Sequence, residues 1–171
     1  MQTTIIYITG IYDTLDLFTQ ELKNAFETMG YASFTYDARL EEESKQALIE
    51  CIEEGTKKGQ RFFGVTFNNL GYNLALPEAR TETGDACSKQ NMGYSPKDIN
   101  SSREPNLWET YEIPYINILM DHPFHYEKPL QNAPDTSVVL CTDRNHVHYI
   151  RRYFKNIRYT DFLPHAGVEL G

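Results

Sequence analysis

The sequence predicts an α/β domain whose core is a doubly wound, mostly parallel β-sheet. Short runs of β-branched and aromatic residues alternate along the chain with segments whose apolar residues recur every three or four positions. The run at residues 4–9 (TIIYIT) has the continuous composition of a parallel strand that helices cover on both faces. We expect right-handed crossover connections and a strand order near 3-2-1-4-5.

The chain up to residue 67 alternates between strand and helix. After the first strand, apolar residues at helical spacing predict an amphipathic helix over 13–30. A second strand at 31–36 leads into a second helix at 40–55, and a third strand follows at 61–67. The acidic residues of the second helix lie largely off its apolar stripe, so we interpret them as a solvated face.

A long polar segment then interrupts the pattern. Residues 74–105 contain no sustained period and exceed ordinary loop lengths, so we expect a long excursion from the domain. The elements predicted beyond it are a short helix at 106–111, strands at 115–120 and 136–141, a helix at 144–154 and a short strand at 157–159. Residues 1–162 are therefore predicted to form a single domain.

Composition and charge restrict the possible functions. The 171 residues include 24 Asp and Glu against 16 Lys and Arg, a formal net charge of −8, so general nucleic-acid binding is not expected. Cys51, Cys87 and Cys141 are widely spaced, which favours free thiols and a reducing, cytoplasmic location. The first residues lack the basic start of a secretory signal, and no run of about 18 apolar residues could span a bilayer.

The sequence lacks several motifs that bind cofactors or support catalysis. A single glycine follows the first strand (TGIYDT) where a dinucleotide site has GxGxxG, and neither GxxxxGK[ST], GxSxG nor HExxH occurs. A flavodoxin has a loop rich in Ser and Thr after its first strand, which binds the flavin phosphate. Thr9 and Thr14 match that composition only in part, so a flavodoxin-like electron carrier stays as a minor alternative. His122 and His125 could approach one metal ion, but no third ligand has suitable spacing, and we expect no metal site.

The segment after the fourth strand carries the most chemistry. Asp121-His122-Pro123-Phe124-His125-Tyr126 places a carboxylate, two imidazoles and a phenol at the carboxyl end of a strand, where doubly wound sheets bind ligands. One interpretation is an acid/base or hydroxyl-binding cluster. In the other, Asp121 satisfies loop amides and His122 packs beneath Phe124.

Four segments together resemble a known family. FNNLG after the third strand, LMDHPFHY after the fourth, VVLCTDRNHVHYIRRYFKNI and the final FLPHAG look like the N-terminal half of bacterial GT-B glycosyltransferases of the spore-maturation-protein-like (CgeB-like) group. The resemblance covers residues 61–71 and 108–167. It implies a Rossmann-like domain that receives the acceptor, while a second such domain binds the sugar nucleotide.

Individual site residues are predicted from their positions, since all of them follow predicted strands at the carboxyl edge, where a doubly wound sheet leaves a crevice. Gly10, Asn68 and Asn69 would bind a small-molecule or glycan acceptor, and Asp121 and His122 would be catalytic, with Asp121 either the base or the residue that orients His122. Residues 163–171 look like the start of an interdomain linker. The chain itself would hold no cofactor. Its partner would be the C-terminal donor-binding domain of the same protein, which would carry the sugar nucleotide. Without that domain the chain is expected to be inactive. The alternative is a stand-alone α/β ligand-binding or regulatory module without catalysis.

One region of the sequence is strongly basic. Its members are Arg144, Arg151, Arg152, Lys155 and Arg158. We interpret them as the solvated face at the end of a helix, and binding of a lipid or phosphate is the alternative. Membrane association is not indicated by the sequence.

Overall fold

The computed structural model describes residues 2–76 and 106–164, which form one six-stranded sheet with flanking helices. Every pair of neighbouring strands is parallel, and the spatial order is β2-β1-β3-β4-β5-β6. The strands are β1 Thr3–Thr9, β2 Ala32–Asp37, β3 Arg61–Phe67, β4 Tyr115–Leu119, β5 Ser137–Cys141 and β6 Tyr159–Phe162. The predicted class, a Rossmann-like α/β domain with a parallel sheet, is confirmed.

The predicted strand order is wrong at β3. Instead of 3-2-1-4-5, the sheet places β3 between β1 and β4, and β2 becomes an edge strand. The burial of the two strands explains this order: β3 (RFFGVTF) buries five of its seven residues, whereas β2 (ASFTYD) buries only Tyr36. An apolar strand is most stable between two neighbours with both faces covered, and β2 lacks the apolar residues for that position.

Five helices cover the sheet. They are α1 Asp13–Thr28, α2 Glu41–Lys57, α3 Leu107–Thr110, α4 Glu127–Gln131 and α5 Arg144–Tyr153. Sequence analysis missed α4 and the 3-10 turn Pro123–Tyr126 before it. Proline is well tolerated in a first helical turn, because that turn has no use for its missing N–H. Leu130 of α4 is fully buried, so packing stabilises this short helix.

The single tryptophan anchors the chain near the start of the second described segment, residues 106–164. Trp108 is fully buried, and its indole donates a hydrogen bond of 2.7 Å to the carbonyl of Gly71. A Cβ atom at Gly64 of β3 would lie 2.5 Å from the Trp108 ring, so only glycine lets the ring approach the strand this closely. The Leu107 amide also donates to the Leu74 carbonyl at 2.8 Å, which joins the two flanks of the segment between them.

Two predicted segments fall largely outside the described residues. Only residues 74–76 of the predicted excursion and residues 163–164 of the predicted linker are described. Within residues 2–76 and 106–164, no helix has both the length and the apolar character needed to cross a bilayer.

Candidate functional site

The carboxyl ends of β3 and β4 bring three polar side chains together. Asp121, directly beyond β4, accepts two hydrogen bonds on its Oδ2 atom, from the Asn68 amide at 2.9 Å and from the Tyr126 hydroxyl at 2.9 Å. Asn68 adopts a positive φ of 48° and accepts the Met120 N–H at 2.9 Å through its Oδ1 atom. The turn after β3 is therefore attached to the end of β4, and the position of the Asp121 carboxylate is defined by contacts from both sides.

Tyr126 is a neutral donor to this carboxylate. Burial of the phenol, followed by its hydrogen bond to Asp121 and the Asp121 charge, raises the pKa of Tyr126 to about 12. The phenol therefore keeps its proton at neutral pH and orients Asp121 through Oδ2. Among the described residues no group donates to Oδ1, and Asp121 is exposed, so one carboxylate oxygen faces solvent.

Asn69 lies beneath this cluster rather than at its surface. The residue is only 4 % exposed, and its Oδ1 atom accepts the Asn117 amide at 2.7 Å while its backbone N–H donates to Asn117 Oδ1 at 2.8 Å. Asn117 belongs to β4 and is fully buried. In the sequence, Asn117 stands out in one way, as the polar residue of an otherwise apolar strand (YINIL), and its role was not predicted. Asn69 therefore supports the turn that presents Asn68, while its predicted contact with an acceptor stays a prediction.

His122 follows Asp121 but makes different contacts. Its Nδ1 atom accepts the Phe124 N–H at 3.1 Å, so the neutral ring carries its proton on Nε2. No hydrogen bond joins Asp121 to His122 in the described part of the chain. The His122 ring lies 4.7 Å from His146 and 5.2 Å from Tyr149 between ring centroids. This tautomer makes His122 a hydrogen-bond donor toward a ligand, and Asp121 the better placed proton acceptor.

His146, on α5, completes a pair of imidazoles that sequence analysis did not anticipate. Burial lowers the pKa of His146, and the neighbouring His122 lowers it further, while Asp143 acts in the opposite direction. The Nδ1 atom of His146 is buried and has no partner among the described residues. A positive charge on His146 is therefore disfavoured.

The loop after β1 is acidic rather than phosphate-binding. The Gly10 amide donates to both carboxylate oxygens of Asp16 at 3.0 Å, so a carboxylate of the chain already occupies the donor that a phosphate would need. Gly10 has a φ of +87°, and a Cβ atom there would lie 2.2 Å from Asp37 Oδ1. Arg39 binds Asp37 at 2.8 Å and holds the pKa of that carboxyl below its usual value. This arrangement does not suit the phosphate of a flavin.

Exposed aromatic side chains flank the polar centre. Tyr12, in the loop after β1, is 60 % exposed, and Phe124, in the turn after β4, is 64 % exposed. Tyr12 lies close enough to Tyr126 to be the smallest of the causes that raise the pKa of Tyr126. Polar groups bordered by aromatic rings are typical of sites that bind small polar molecules with apolar faces.

The described residues contain no group of three or more His, Cys, Asp or Glu side chains that could hold a metal ion. His122 and His125 do not form the centre of such a group, since His122 stacks on α5 instead. Of the five residues singled out from the sequence, Gly10, Asn68, Asp121 and His122 lie at the carboxyl edge with some exposure, and Asn69 is buried below it.

Comparison of the chain with protein-family models, curated proteins and solved structures finds no match. The resemblance to GT-B glycosyltransferases therefore rests on the sequence segments that carry it.

Proposed function

We propose that this chain is the acceptor-side domain of a sugar-nucleotide-dependent glycosyltransferase, with Asp121 as the general base. The observation that supports this most directly is the exposed Asp121 carboxylate, which two donors hold through Oδ2 while Oδ1 faces solvent. A base must be fixed in position and keep an oxygen for the substrate hydroxyl, and this carboxylate has both properties.

The charge around the site favours an uncharged, hydroxyl-bearing acceptor. Asp13, Asp16, Asp37 and Asp121 lie at the ends of β1, β2 and β4, with Arg39 as the cation of this group. Their charge opposes binding of a phosphate, whereas sugar hydroxyls can donate to carboxylates. The exposed rings of Tyr12 and Phe124 can pack against the apolar face of a sugar.

The chemistry follows from these positions. Asp121 Oδ1 accepts the proton of the acceptor hydroxyl as its oxygen bonds to the anomeric carbon of the donor sugar. The bond between that carbon and the nucleotide diphosphate breaks, and the diphosphate leaves with the bonding electrons. A C-terminal donor-binding domain of the same protein would hold the sugar nucleotide. His122 Nε2–H could donate to an acceptor oxygen, which gives it a role in orienting the substrate rather than in accepting the proton.

One observation favours the alternative of a binding module without catalysis. The described polar groups at this edge bind largely to one another. Asn68 and Tyr126 donate to Asp121, and His122 accepts the Phe124 N–H. Such a preformed set of contacts could recognise a small polar ligand with no proton transfer. The two functions share a binding site and differ in whether Asp121 is needed for a reaction.

Ligand-observed NMR on the chain tests the shared part of both functions. The probes are a set of monosaccharides, inositol and a parallel set of uridine and guanosine diphosphate sugars. We expect saturation transfer to at least one neutral sugar or polyol, its loss in Asp121→Asn, and its retention in Glu21→Gln, which removes one negative charge from the exposed face of α1. Binding of the nucleotide sugars alone, abolished by the same Asp121 substitution, would overturn an acceptor-side function.

Catalysis is tested in the polypeptide that carries both domains. Transfer of sugar to the identified ligand that depends on Asp121 supports the transferase, and undiminished ligand binding without any transfer supports the module.

A further inference from the structure

The outer side of α5 and the turn that follows it form a basic face, which we define by five exposed residues. These residues are Arg144, Arg151, Arg152, Lys155 and Arg158. Arg144, His148 and Arg151 are spaced by four and three positions along α5, which places them on one stripe. Lys155 follows in the turn after the helix and donates to the Arg151 carbonyl at 2.6 Å. The face lies over β6, the edge strand farthest from β2.

None of these cations is neutralised by a carboxylate in the part of the chain that the structure describes. The ion pairs there involve Arg39, Lys45 and Lys58 instead. Arg144 lies over the Phe162 ring at 4.2 Å, and Arg151 donates to the Thr160 carbonyl at 2.8 Å. In a chain with 24 acidic and 16 basic residues, five neighbouring cations without an acidic partner are an unusual concentration of positive charge.

Two acidic residues, Asp143 at the start of α5 and Asp161 of β6, lie near this face and reduce its charge without cancelling five cations. The main acidic group of the molecule, on α2, is distant. Its members are Glu41, Glu42, Glu43, Glu50, Glu53 and Glu54. The α2 helix packs on β2, at the opposite edge from β6. Five strand spacings of about 4.8 Å separate those edges by about 24 Å. That is about three Debye lengths at physiological ionic strength, so a partner at the basic face experiences mainly the local positive potential.

We propose that the basic face binds an anionic lipid surface. Tyr153 is 58 % exposed and borders the face at Arg152, whose guanidinium lies 5.4 Å from the centre of the Tyr153 ring. Cations with a tyrosine at their border suit the headgroup region, where the phosphates are negative and the aromatic ring can enter the interface. Lipid headgroups also diffuse laterally, so they can collect beneath cations whose spacing matches no fixed array of phosphates.

Two other partners fit the same charges less well. A second copy that docked its acidic α2 on this face would use two different surfaces, and such a contact propagates into open chains instead of closing a dimer. Nucleic-acid binding proteins contact phosphates with backbone amides and helix N-termini as well as with Arg and Lys. The N-terminus of α5 is capped by Asp143, which accepts the Asn145 N–H at 2.7 Å and whose carboxylate repels a phosphate. The inference does not depend on the proposed function, because the basic face contains none of the residues of that site.

Vesicle flotation tests the proposal directly. The chain is mixed with phosphatidylcholine vesicles that contain either no anionic lipid or about 30 % phosphatidylglycerol, at about 0.1 M salt and again at about 0.5 M. We expect binding to the anionic vesicles only, and at least tenfold weaker binding at the higher salt concentration.

A pair of triple variants assigns the binding to the face. Arg152→Gln/Lys155→Gln/Arg158→Gln leaves Arg144 and Arg151 on β6 and is expected to weaken vesicle binding at least tenfold. Lys57→Gln/Lys58→Gln/Lys128→Gln removes the same charge from exposed positions elsewhere and is expected to bind like the unmodified chain. Circular dichroism melting checks that both variants are folded.

Four results would overturn the proposal. The first is that the chain does not bind anionic vesicles at low salt, and the second is that both triple variants lose binding equally. The third is that the chain binds a short DNA duplex tightly and does not bind vesicles. The fourth is that light scattering detects self-association that the first triple variant abolishes.

Discussion

Asn69 and Asn117 are joined by two hydrogen bonds, through which the middle of β4 holds the turn that ends β3. The Asn117 amide donates to Asn69 Oδ1 at 2.7 Å, and Asn117 Oδ1 accepts the Asn69 backbone N–H at 2.8 Å. Both residues are buried, and Asn69 has a positive φ of 63°. Each contact therefore satisfies a group that water cannot reach, and the pair holds the turn in a conformation that few residues other than glycine adopt readily.

Replacing Asn117 is expected to destabilise the fold. Asn117→Ala leaves the N–H and the side-chain oxygen of Asn69 buried without partners, and should lower the free energy of unfolding by about 2–4 kcal/mol. Urea denaturation followed by the fluorescence of Trp108, the single tryptophan, measures this change. Asn24→Ala on the exposed face of α1 is the control and should cost less than about 0.5 kcal/mol. Equal stability of the two variants would show that the buried pair contributes little.

Substitutions around Asp121 should separate a base from the residues that position it. In the two-domain transferase that we propose, Asp121→Asn is expected to lower kcat by about a hundredfold or more, because the proposed proton acceptor is lost. Tyr126→Phe removes one of the two donors to Oδ2, and His122→Ala removes a donor and a stacking ring. We expect each to lower kcat by about tenfold, a smaller effect than loss of the base. Near-normal kcat in Asp121→Asn, with the fold retained by circular dichroism, would reject the assignment.

His146 should make the stability of the fold depend on pH. The folded-state pKa of His146 is lowered, so between its ordinary value and that lowered value the unfolded chain binds more protons than the folded one. Stability should therefore fall as the pH drops from about 7.5 to about 5.5, the range in which an unfolded histidine becomes charged.

The variant His146→Phe keeps a ring beside His122 and removes the titration. The fall in unfolding free energy over that pH range should be smaller in this variant than in the unmodified chain. His148→Gln, at an exposed position on the same helix, should leave the dependence unchanged. An identical pH dependence in all three proteins would contradict the role of His146.

The two described cysteines should differ in reactivity. Cys141 is fully buried in β5, and burial raises the pKa of its thiol to about 11, whereas Cys51 is partly exposed with a pKa raised mainly by burial. At about pH 8 an alkylating reagent should modify Cys51 in the native chain and leave Cys141 unmodified, because thiolate and access are both required. Mass spectrometry of the digested protein identifies the modified site. Rapid alkylation of Cys141 under native conditions would contradict its burial.

In both cases the thiols are free, as the sequence predicted for Cys51 and Cys141. The third cysteine, Cys87, lies outside the described residues. The further prediction that unfolded protein under non-reducing conditions yields three titratable thiols can be measured in the same experiment.

Much of the fold could be predicted because its signals are local. The strands at 61–67 and 137–141 and the helices α1 and α5 follow from runs and periods within about a dozen residues, and they occur within a few residues of the predicted bounds. Strand order is a global property, decided by which strand gains most from being covered on both faces. The weak apolar content of β2 was visible in the sequence, but its consequence for the order depends on the competition with β3.

The sequence by itself determined the type of sheet and the edge at which the polar residues collect, because chain direction in a parallel sheet brings all carboxyl ends to one side. Only the tertiary structure decided which atoms at that edge are open to solvent. Within the described residues, Asn69 Oδ1 is occupied by the Asn117 amide and the Nδ1 atom of His122 by the Phe124 N–H, whereas Asp121 Oδ1 accepts no hydrogen bond. The physical reason is that each of these hydrogen bonds needs a donor and an acceptor within about 3 Å. Two of the three pairs are separated by about fifty residues, and the third spans a turn whose geometry a sequence pattern does not specify.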